Sequence, residues 1–129
     1  MLIKEERVFC LPHLGASTTE AEDNCAIMVA DQVKDYLENG NILNSVNFPE
    51  VRMARNEGGH RLCIVNSNVP NMLGQISTAL ADANLNIVDM LNKSKGDVAY
   101  TLVDVDQAVS DATIEKIRGI TGILAVRAI

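Results

Sequence analysis

The sequence contains no tryptophan, two tyrosines, two phenylalanines and no long apolar run. No apolar stretch approaches the roughly 20 residues that a membrane-spanning helix needs. No long apolar segment follows the charged residues Lys4–Arg7, so the beginning of the chain is unlike a signal peptide. Nearly half the residues are apolar, which is ample for a globular core. We therefore expect a globular protein of the cytoplasm.

Basic residues are also in short supply. The chain has 11 lysines and arginines against 17 aspartates and glutamates, which gives a formal net charge of −6. An acidic chain without a basic stripe is a poor partner for nucleic acid. A small charged metabolite, a polar ligand or another protein is therefore the expected partner.

The three cysteines, Cys10, Cys25 and Cys63, are too few and too widely spaced to suggest a disulfide framework. Cys10-x-x-His13 and His60-x-x-Cys63 resemble two halves of a zinc site. Both of these cysteines lie in apolar segments, however, where a free cysteine behaves as a small core residue. Residues three apart on a strand point to opposite faces, so we expect no metal site.

A long helix is predicted near the beginning of the chain. Over Thr19–Asn39 apolar residues recur at close to a 3.6-residue spacing, and Gly40 follows where helices often end in a left-handed residue. Ser17 and Glu20 have the spacing of a capping box at its start. The apolar run Val8–Pro12 before the helix is typical of a buried strand.

The second part of the chain has the pattern of an α+β domain. Residues 41–59 show no sustained period and include the flexible segment Asn56–Gly59, so we place a domain boundary there. The elements after it follow in the order βαββαβ, which predicts a ferredoxin-like antiparallel sheet with both helices on one face. The predicted bounds are Arg61–Asn66, Pro70–Ala83, Ile87–Ser94, Val98–Val105, Ser110–Gly119 and Gly122–Ile129.

Asparagines are concentrated at the predicted junctions between strands and helices. Asn66, Asn68 and Asn71 surround the start of the first short helix, and Asn86 precedes the second strand. Amides both donate and accept hydrogen bonds, and a helix start favours a carboxylate, so this cluster suits a free amino acid. Asparagine is also a common turn and cap residue, and that interpretation stays open.

His13 lies between the predicted strand and the long helix, a position from which an imidazole can face a cleft. It is a candidate general acid or base near neutral pH. The alternative is a solvent-facing or capping histidine, because the sequence near it supplies no convincing orienting carboxylate.

Two segments resemble one family. Leu11–Ala21 is similar to the histidine motif of the D-isomer-specific 2-hydroxyacid dehydrogenases. Ser45–Pro49, followed by a loop and the βαββαβ unit, resembles the linker and terminal ACT domain of the phosphoglycerate dehydrogenases in that family. The resemblance divides the chain into the end of a catalytic region (1–44), a linker (45–59) and an ACT domain (60–129).

The resemblance implies an oxidoreductase of serine biosynthesis, an amino-acid biosynthesis pathway, that uses NAD to oxidise 3-phosphoglycerate. His13 would be the catalytic acid/base only in the full-length enzyme. The NAD loop and most of the active site lie upstream in the family, so we expect this fragment alone to hold no cofactor and to be inactive.

The resemblance also implies allosteric regulation, with L-serine or another small amino acid bound between the ACT domains of a homodimer. The effector-binding residues would be Asn66, Asn68, Pro70, Asn71, Met72, Leu73 and Asn86. Two positions depart from the family pattern: Asn66 stands where some members have histidine, and Asn71 where the usual pattern has glycine. A side chain at Asn71 could narrow the pocket. Two alternatives are a structural dimerisation module that binds no ligand and a self-sufficient enzyme that uses His13.

Overall fold

The computed structural model describes residues 8, 9, 13, 15, 17–55 and 58–129, and the chain forms two compact units, residues 1–31 and 32–129. One long helix is followed by alternating strands and shorter helices. They are α1 (Thr19–Asn39), β1 (His60–Ser67), α2 (Met72–Asp82), β2 (Ile87–Lys95), β3 (Val98–Val105), α3 (Asp111–Arg118) and β4 (Ile123–Ala128). Their bounds differ from the predicted ones by at most two residues.

In the first unit, Thr18 caps the start of α1, because its Oγ1 accepts a hydrogen bond from the Ala21 backbone N–H at 3.2 Å. The predicted cap at Ser17 is therefore wrong by one residue: the side chain of Thr18 is the one that reaches the third helical amide. Helix α1 is confirmed, and none of its residues is buried. The first two residues of the predicted strand are exposed and outside any strand, and Cys10–Pro12 lie outside the described residues.

The second unit is built on a four-stranded sheet in the order β2-β3-β1-β4. All three neighbouring pairs are antiparallel. This strand order, with the chain order βαββαβ, confirms the predicted ferredoxin-like fold. Strands β2 and β4 therefore form the two edges of the sheet.

Helices α2 and α3 pack on the same face of the sheet, as predicted. Side chains alternate between the two faces of a strand, so every second residue of β1 and β3 points towards these helices. Burial of each large aliphatic side chain in this layer contributes about 1.5–3 kcal/mol. The core consists of Leu62, Ile64, Ile76, Ala79, Leu80, Leu85, Val103, Val105, Ile117 and Val126.

The opposite face of the sheet is covered by residues 41–55, most of which the sequence placed in a linker. Ile42 and Val51 form an isolated antiparallel bridge, and both are buried. Phe48 lies edge-on to Tyr100, with the ring centroids 6.3 Å apart. The buried residues of this second core are Ile42, Val51, Met53, Cys63, Tyr100 and Leu102. The division of the chain at residues 45–59 stays a prediction.

Gly40 connects α1 to this segment in the predicted left-handed conformation, with φ of 74°. A Cβ at Gly40 would lie 2.5 Å from the Cys63 Sγ, so the close approach to the sheet also requires glycine. The Tyr100 hydroxyl donates to the Gly40 carbonyl at 2.8 Å. Burial raises the pKa of Tyr100 above its ordinary value of 10.0.

Three arginines bind the last turn of α1, which carries no basic residue of its own. Arg55, Arg61 and Arg127 donate hydrogen bonds to the backbone carbonyls of residues 38, 39 and 36–37, respectively. Arg127 also lies over the Tyr36 ring, 4.5 Å from its centroid. Positive charge at a helix C-terminus is favourable because the terminal carbonyls carry partial negative charge. The end of α1 is thereby tied to the βαββαβ unit.

Arg61 is the central residue of this arrangement and is 1% exposed. Its Nε and Nη2 donate to the two carboxylate oxygens of Asp104, at 2.6 and 2.8 Å. The remaining N–H groups donate to the carbonyls of Asn39, Met53 and Ala54, at 2.7–3.0 Å. The hydrogen bonds to Asp104 hold the pKa of Arg61 above its usual value despite burial. All five guanidinium donors are satisfied, which makes the buried charge tolerable.

Candidate functional site

A cleft of about 210 Å³ opens where β1 leads into α2. It is the part of the second unit in which the predicted asparagines are concentrated. Six of the seven predicted effector residues lie in this region, and five of these line the cleft directly. Its walls are formed by Asn66, Asn68, Val69, Asn71, Met72, Leu73, Gly74, Asn92 and Ala99.

Asn71 immediately precedes α2, whose first turn lines the cleft. The structure corrects the prediction that Pro70 lies within the first helical turn: Pro70 is in a turn, and α2 begins at Met72. Asn71 between them has φ of 66°, a left-handed conformation that asparagine adopts more readily than other residues with a Cβ. Its side chain makes no cap hydrogen bond, so it leaves the first amides of α2 available to another acceptor.

The side chain of Asn71 lies against the helix backbone at Gly74. A Cβ at Gly74 would be 2.3 Å from the Asn71 Oδ1, so the amide occupies the space that any larger residue at 74 would need. Where the family pattern has glycine at the position of Asn71, this chain has a side chain, and glycine follows three residues later. The narrowing of the cleft at Asn71 remains a prediction.

Asn66 forms the floor of the cleft and is 2% exposed. Its Nδ2 donates to the Ser67 carbonyl at 2.8 Å, and its Oδ1 accepts from the Thr101 hydroxyl at 3.3 Å. The same Thr101 oxygen accepts from the Asn92 Nδ2 at 2.7 Å. Three polar side chains on neighbouring strands are thus joined in one network on the helix-bearing face of the sheet.

Asn68 and Asn86 lie at opposite ends of the sheet. The Asn68 Nδ2 donates to the Gly96 carbonyl at 3.0 Å, beside the β2–β3 turn. The Asn86 backbone N–H donates to the Asp106 Oδ1 at 3.0 Å, just beyond the far end of β3. Strand β3 separates these ends by roughly 23 Å, at about 3.3 Å per residue. Within one chain, Asn86 therefore does not join the other predicted residues.

The structure adds Asn92 and Gly74 to the site that the sequence predicted. Asn92 is on β2 and belongs to the same face as Met90, two residues earlier, so strand alternation could have indicated it. No local pattern pairs it with Asn66, however, since that relation depends on the registers of β2 and β1 against β3. Gly74 became recognisable only from the position of the Asn71 side chain.

His13 is exposed in the first unit. Four residues of the histidine motif, Leu11, Pro12, Leu14 and Ala16, lie outside the described residues. In the parts of the chain that the structure describes, no group of three or more histidine, cysteine, aspartate or glutamate residues could hold a metal ion. None of the described helices has the length and apolar character needed to cross a membrane.

Comparison with known proteins identifies the relatives of this chain. It is 34% identical over 122 residues to the D-3-phosphoglycerate dehydrogenase of Haemophilus influenzae, covering 95% of this chain and 30% of that enzyme. It is 30% identical over 128 residues to the Escherichia coli enzyme of that name, covering 98% and 31%. The chain is a relative of the D-3-phosphoglycerate dehydrogenases. The resemblance found in the sequence motifs is confirmed.

This phosphoglycerate dehydrogenase relative spans about 30% of the length of the curated enzymes it matches. D-3-phosphoglycerate dehydrogenase 2 of Saccharomyces cerevisiae is 32% identical over 120 residues, covering 90% of this chain and 25% of that enzyme. No protein-family model matches the chain.

Solved structures similar to the chain include ACT domains. The ACT domain of a GTP pyrophosphokinase from Chlorobium tepidum has a TM-score of 0.48 and 18% identity, covering 55% of this chain and 96% of that domain. The regulatory subunit of aspartate kinase from Thermus thermophilus has a TM-score of 0.44 and 13% identity, covering 54% and 52%.

Proposed function

We propose that this chain is the C-terminal regulatory part of a cytoplasmic NAD-dependent D-3-phosphoglycerate dehydrogenase of serine biosynthesis. Its βαββαβ unit would be an ACT domain that binds an amino-acid effector, L-serine, at an interface between two copies of the chain. The observation that carries this proposal is the amide-lined cleft at the uncapped start of α2.

The cleft offers complementary groups to both ends of an amino acid. The first amides of α2 have no side-chain cap, and the partial positive charge of a helix start favours a carboxylate. Side-chain oxygens of the surrounding asparagines can accept hydrogen bonds from an ammonium group. The cleft volume of about 210 Å³ can also accommodate a small amino acid such as L-serine.

The position of Asn86 favours a site shared between two copies. Its distance of roughly 23 Å from Asn68 prevents both side chains of one chain from touching one small ligand. Strand β2 is an edge of the sheet, and an unpaired edge can add a strand from a second copy. In an antiparallel pair of β2 strands, the beginning of one strand approaches the end of the other, which would bring the second copy's Asn86 towards the cleft.

Effector binding can regulate only by favouring one arrangement of the subunits over another. The hydrogen bonds of Arg55, Arg61 and Arg127 to the end of α1 suggest how a change at the βαββαβ unit would reach the rest of the enzyme. Because these contacts hold the last turn of α1 against the sheet, a reorientation of the βαββαβ unit would displace that turn with it.

We assign His13 the role of catalytic acid/base in the full-length enzyme only. The residues described here do not fit NAD: the sheet is antiparallel throughout, whereas dinucleotides bind at a glycine-rich turn of a parallel sheet. An NAD site would therefore belong to the remainder of the enzyme.

Isothermal titration of the chain with L-serine tests the proposal, with glycine and D-serine as controls and analytical ultracentrifugation as a measure of dimerisation. We expect saturable, stereoselective binding by a dimer. Asn86→Ala should abolish this binding and leave dimerisation intact, whereas Asn24→Ala, on the exposed surface of α1, should change neither. Unchanged serine affinity in Asn86→Ala would exclude Asn86 from the site.

A structural dimerisation module that binds no ligand is the second candidate. It is favoured by the Asn71 side chain, which lies over the helix start beside Gly74 and takes up space at the cleft. A stable dimer that binds no serine up to millimolar concentration would support this alternative. Binding by the wild-type chain would exclude it.

A further inference from the structure

A row of three hydrogen-bonded polar side chains crosses the helix-bearing face of the sheet. Asn66, Thr101 and Asn92 lie on β1, β3 and β2, and their hydrogen bonds connect the cleft floor to the edge strand. Thr101 is fully buried, and Asn66 nearly so. Buried amides and hydroxyls are costly unless they are hydrogen-bonded, so this row is a specific arrangement of the site.

The row leaves hydrogen-bonding capacity at its outer end. The Asn92 Nδ2 donates to Thr101, but among the described residues the Asn92 Oδ1 accepts no hydrogen bond. Asn92 is half-buried and lines the cleft. An amide has two donors and an acceptor, so Asn92 can offer both kinds of group to a ligand that enters beside it.

Among the residues that the structure describes, no charged side chain lines the cleft. A ligand whose own side chain is charged would lose water there without gaining an opposite charge, which is unfavourable. A ligand with an apolar side chain would cover the Asn92 amide and leave its acceptor unpaired. The lining therefore suits a neutral side chain that carries a hydroxyl or an amide.

We infer that Asn92 is a further effector-contacting residue and that the row Asn66–Thr101–Asn92 selects α-amino acids with a small, neutral, hydrogen-bonding side chain. This inference rests on the proposed function, because it identifies the residues that contact the effector's side chain. The α-carboxylate and ammonium are bound at the α2 start, and Asn92 contacts the side chain.

Calorimetric titration of the wild-type chain and of Asn92→Leu with L-serine and L-alanine tests the inference. The wild type should bind serine at least about tenfold more tightly than alanine, the factor that one hydrogen bond to a partly buried amide typically supplies. In Asn92→Leu this preference should fall to about threefold or less, because serine binding weakens while alanine binding is retained. Ser94→Leu is the matched control, since Ser94 is on the same face of β2 but does not line the cleft.

The outcomes separate this inference from the proposed function. If the wild type binds neither amino acid, the proposed function fails and this inference fails with it. If the wild type binds both, and Asn92→Leu weakens both equally or neither, amino-acid binding stands and the role of Asn92 is wrong. Heteronuclear NMR of the wild type decides the matter even if the variant does not fold. Serine should shift the Asn92 side-chain amide signals further than alanine does, because only serine forms a hydrogen bond with the amide; equal shifts would refute the inference.

Discussion

Removal of the Arg61 guanidinium is the most informative perturbation of this fold. Arg61→Leu keeps a large apolar side chain at the position but removes all five hydrogen bonds made by the guanidinium. The Asp104 carboxylate, whose side chain is 3% exposed, would then be buried without its counter-charge. The backbone carbonyl of Asn39, at the end of α1, and those of Met53 and Ala54, in the segment that covers the sheet, would also lose their donors.

The expected loss follows from the burial of the pair. Removing one partner of a buried ion pair typically costs about 3–5 kcal/mol, because the other charge stays desolvated. A domain of this size has a total stability of about 5–15 kcal/mol, so the loss is a large part of the whole. At about 4–8 °C per kcal/mol for a small domain, Tm should fall by at least about 12 °C.

Urea and thermal unfolding of Arg61→Leu, Asp104→Leu and the double variant measure this loss. The double variant should be more stable than Arg61→Leu, because it no longer buries the Asp104 carboxylate without a counter-charge. Lys116→Leu is the control: its ion pair with Asp82 has both side chains more than half exposed, and its loss should cost less than about 1 kcal/mol. A loss for Arg61→Leu no larger than that of Lys116→Leu would refute the reasoning.

Three further predictions concern single residues. Gly40→Ala should destabilise the chain more than Gly96→Ala, by about 1 kcal/mol or more in unfolding experiments. Both glycines have positive φ, but only a Cβ at Gly40 would lie 2.5 Å from the Cys63 Sγ. Equal losses of stability in the two variants would contradict this prediction. Because the pKa of Tyr100 is raised, its hydroxyl stays protonated to a higher pH in the folded state than in the unfolded state. The stability that this group contributes is therefore present below about pH 10 and falls as the pH rises further. Tyr100→Phe should lose this alkaline dependence of the free energy of unfolding, measured by urea titrations at pH 9–11. Asn71→Gly should bind L-serine more tightly by calorimetry, because the left-handed backbone suits glycine and the cleft widens; unchanged affinity would mean that the Asn71 side chain is harmless.

The βαββαβ unit could be predicted from the sequence because its signals are local. The apolar period of each strand and helix is contained within a few residues, and Ser110 caps α3 through a hydrogen bond from Thr113, three positions away. The left-handed conformation predicted for Gly40 is likewise a single-residue signal, and it is observed. The sequence does not distinguish Thr18, the observed cap of α1, from Ser17, because both residues carry a hydroxyl that can accept the hydrogen bond.

Such local patterns do not predict the segment that covers the second face of the sheet. Residues 41–55 have no period, since they follow the sheet surface as irregular backbone, and their positions depend on Arg61 and Tyr100. The carboxylate that balances Arg61 lies 43 residues away in the chain. Only the register of β1 against β3, which pairs Arg61 with Asp104, brings the two together.

The sequence by itself determined the order of the elements, the family resemblance and the concentration of amides around the start of α2, because each is written in neighbouring residues. The tertiary structure decided which of those amides share a site. It placed Asn86 at the end of the sheet opposite the cleft. It also placed Asn92 beside the cleft, where its side chain donates a hydrogen bond to Thr101. The physical reason is that strand register and sheet order, which no local pattern encodes, set the distance between residues on different strands.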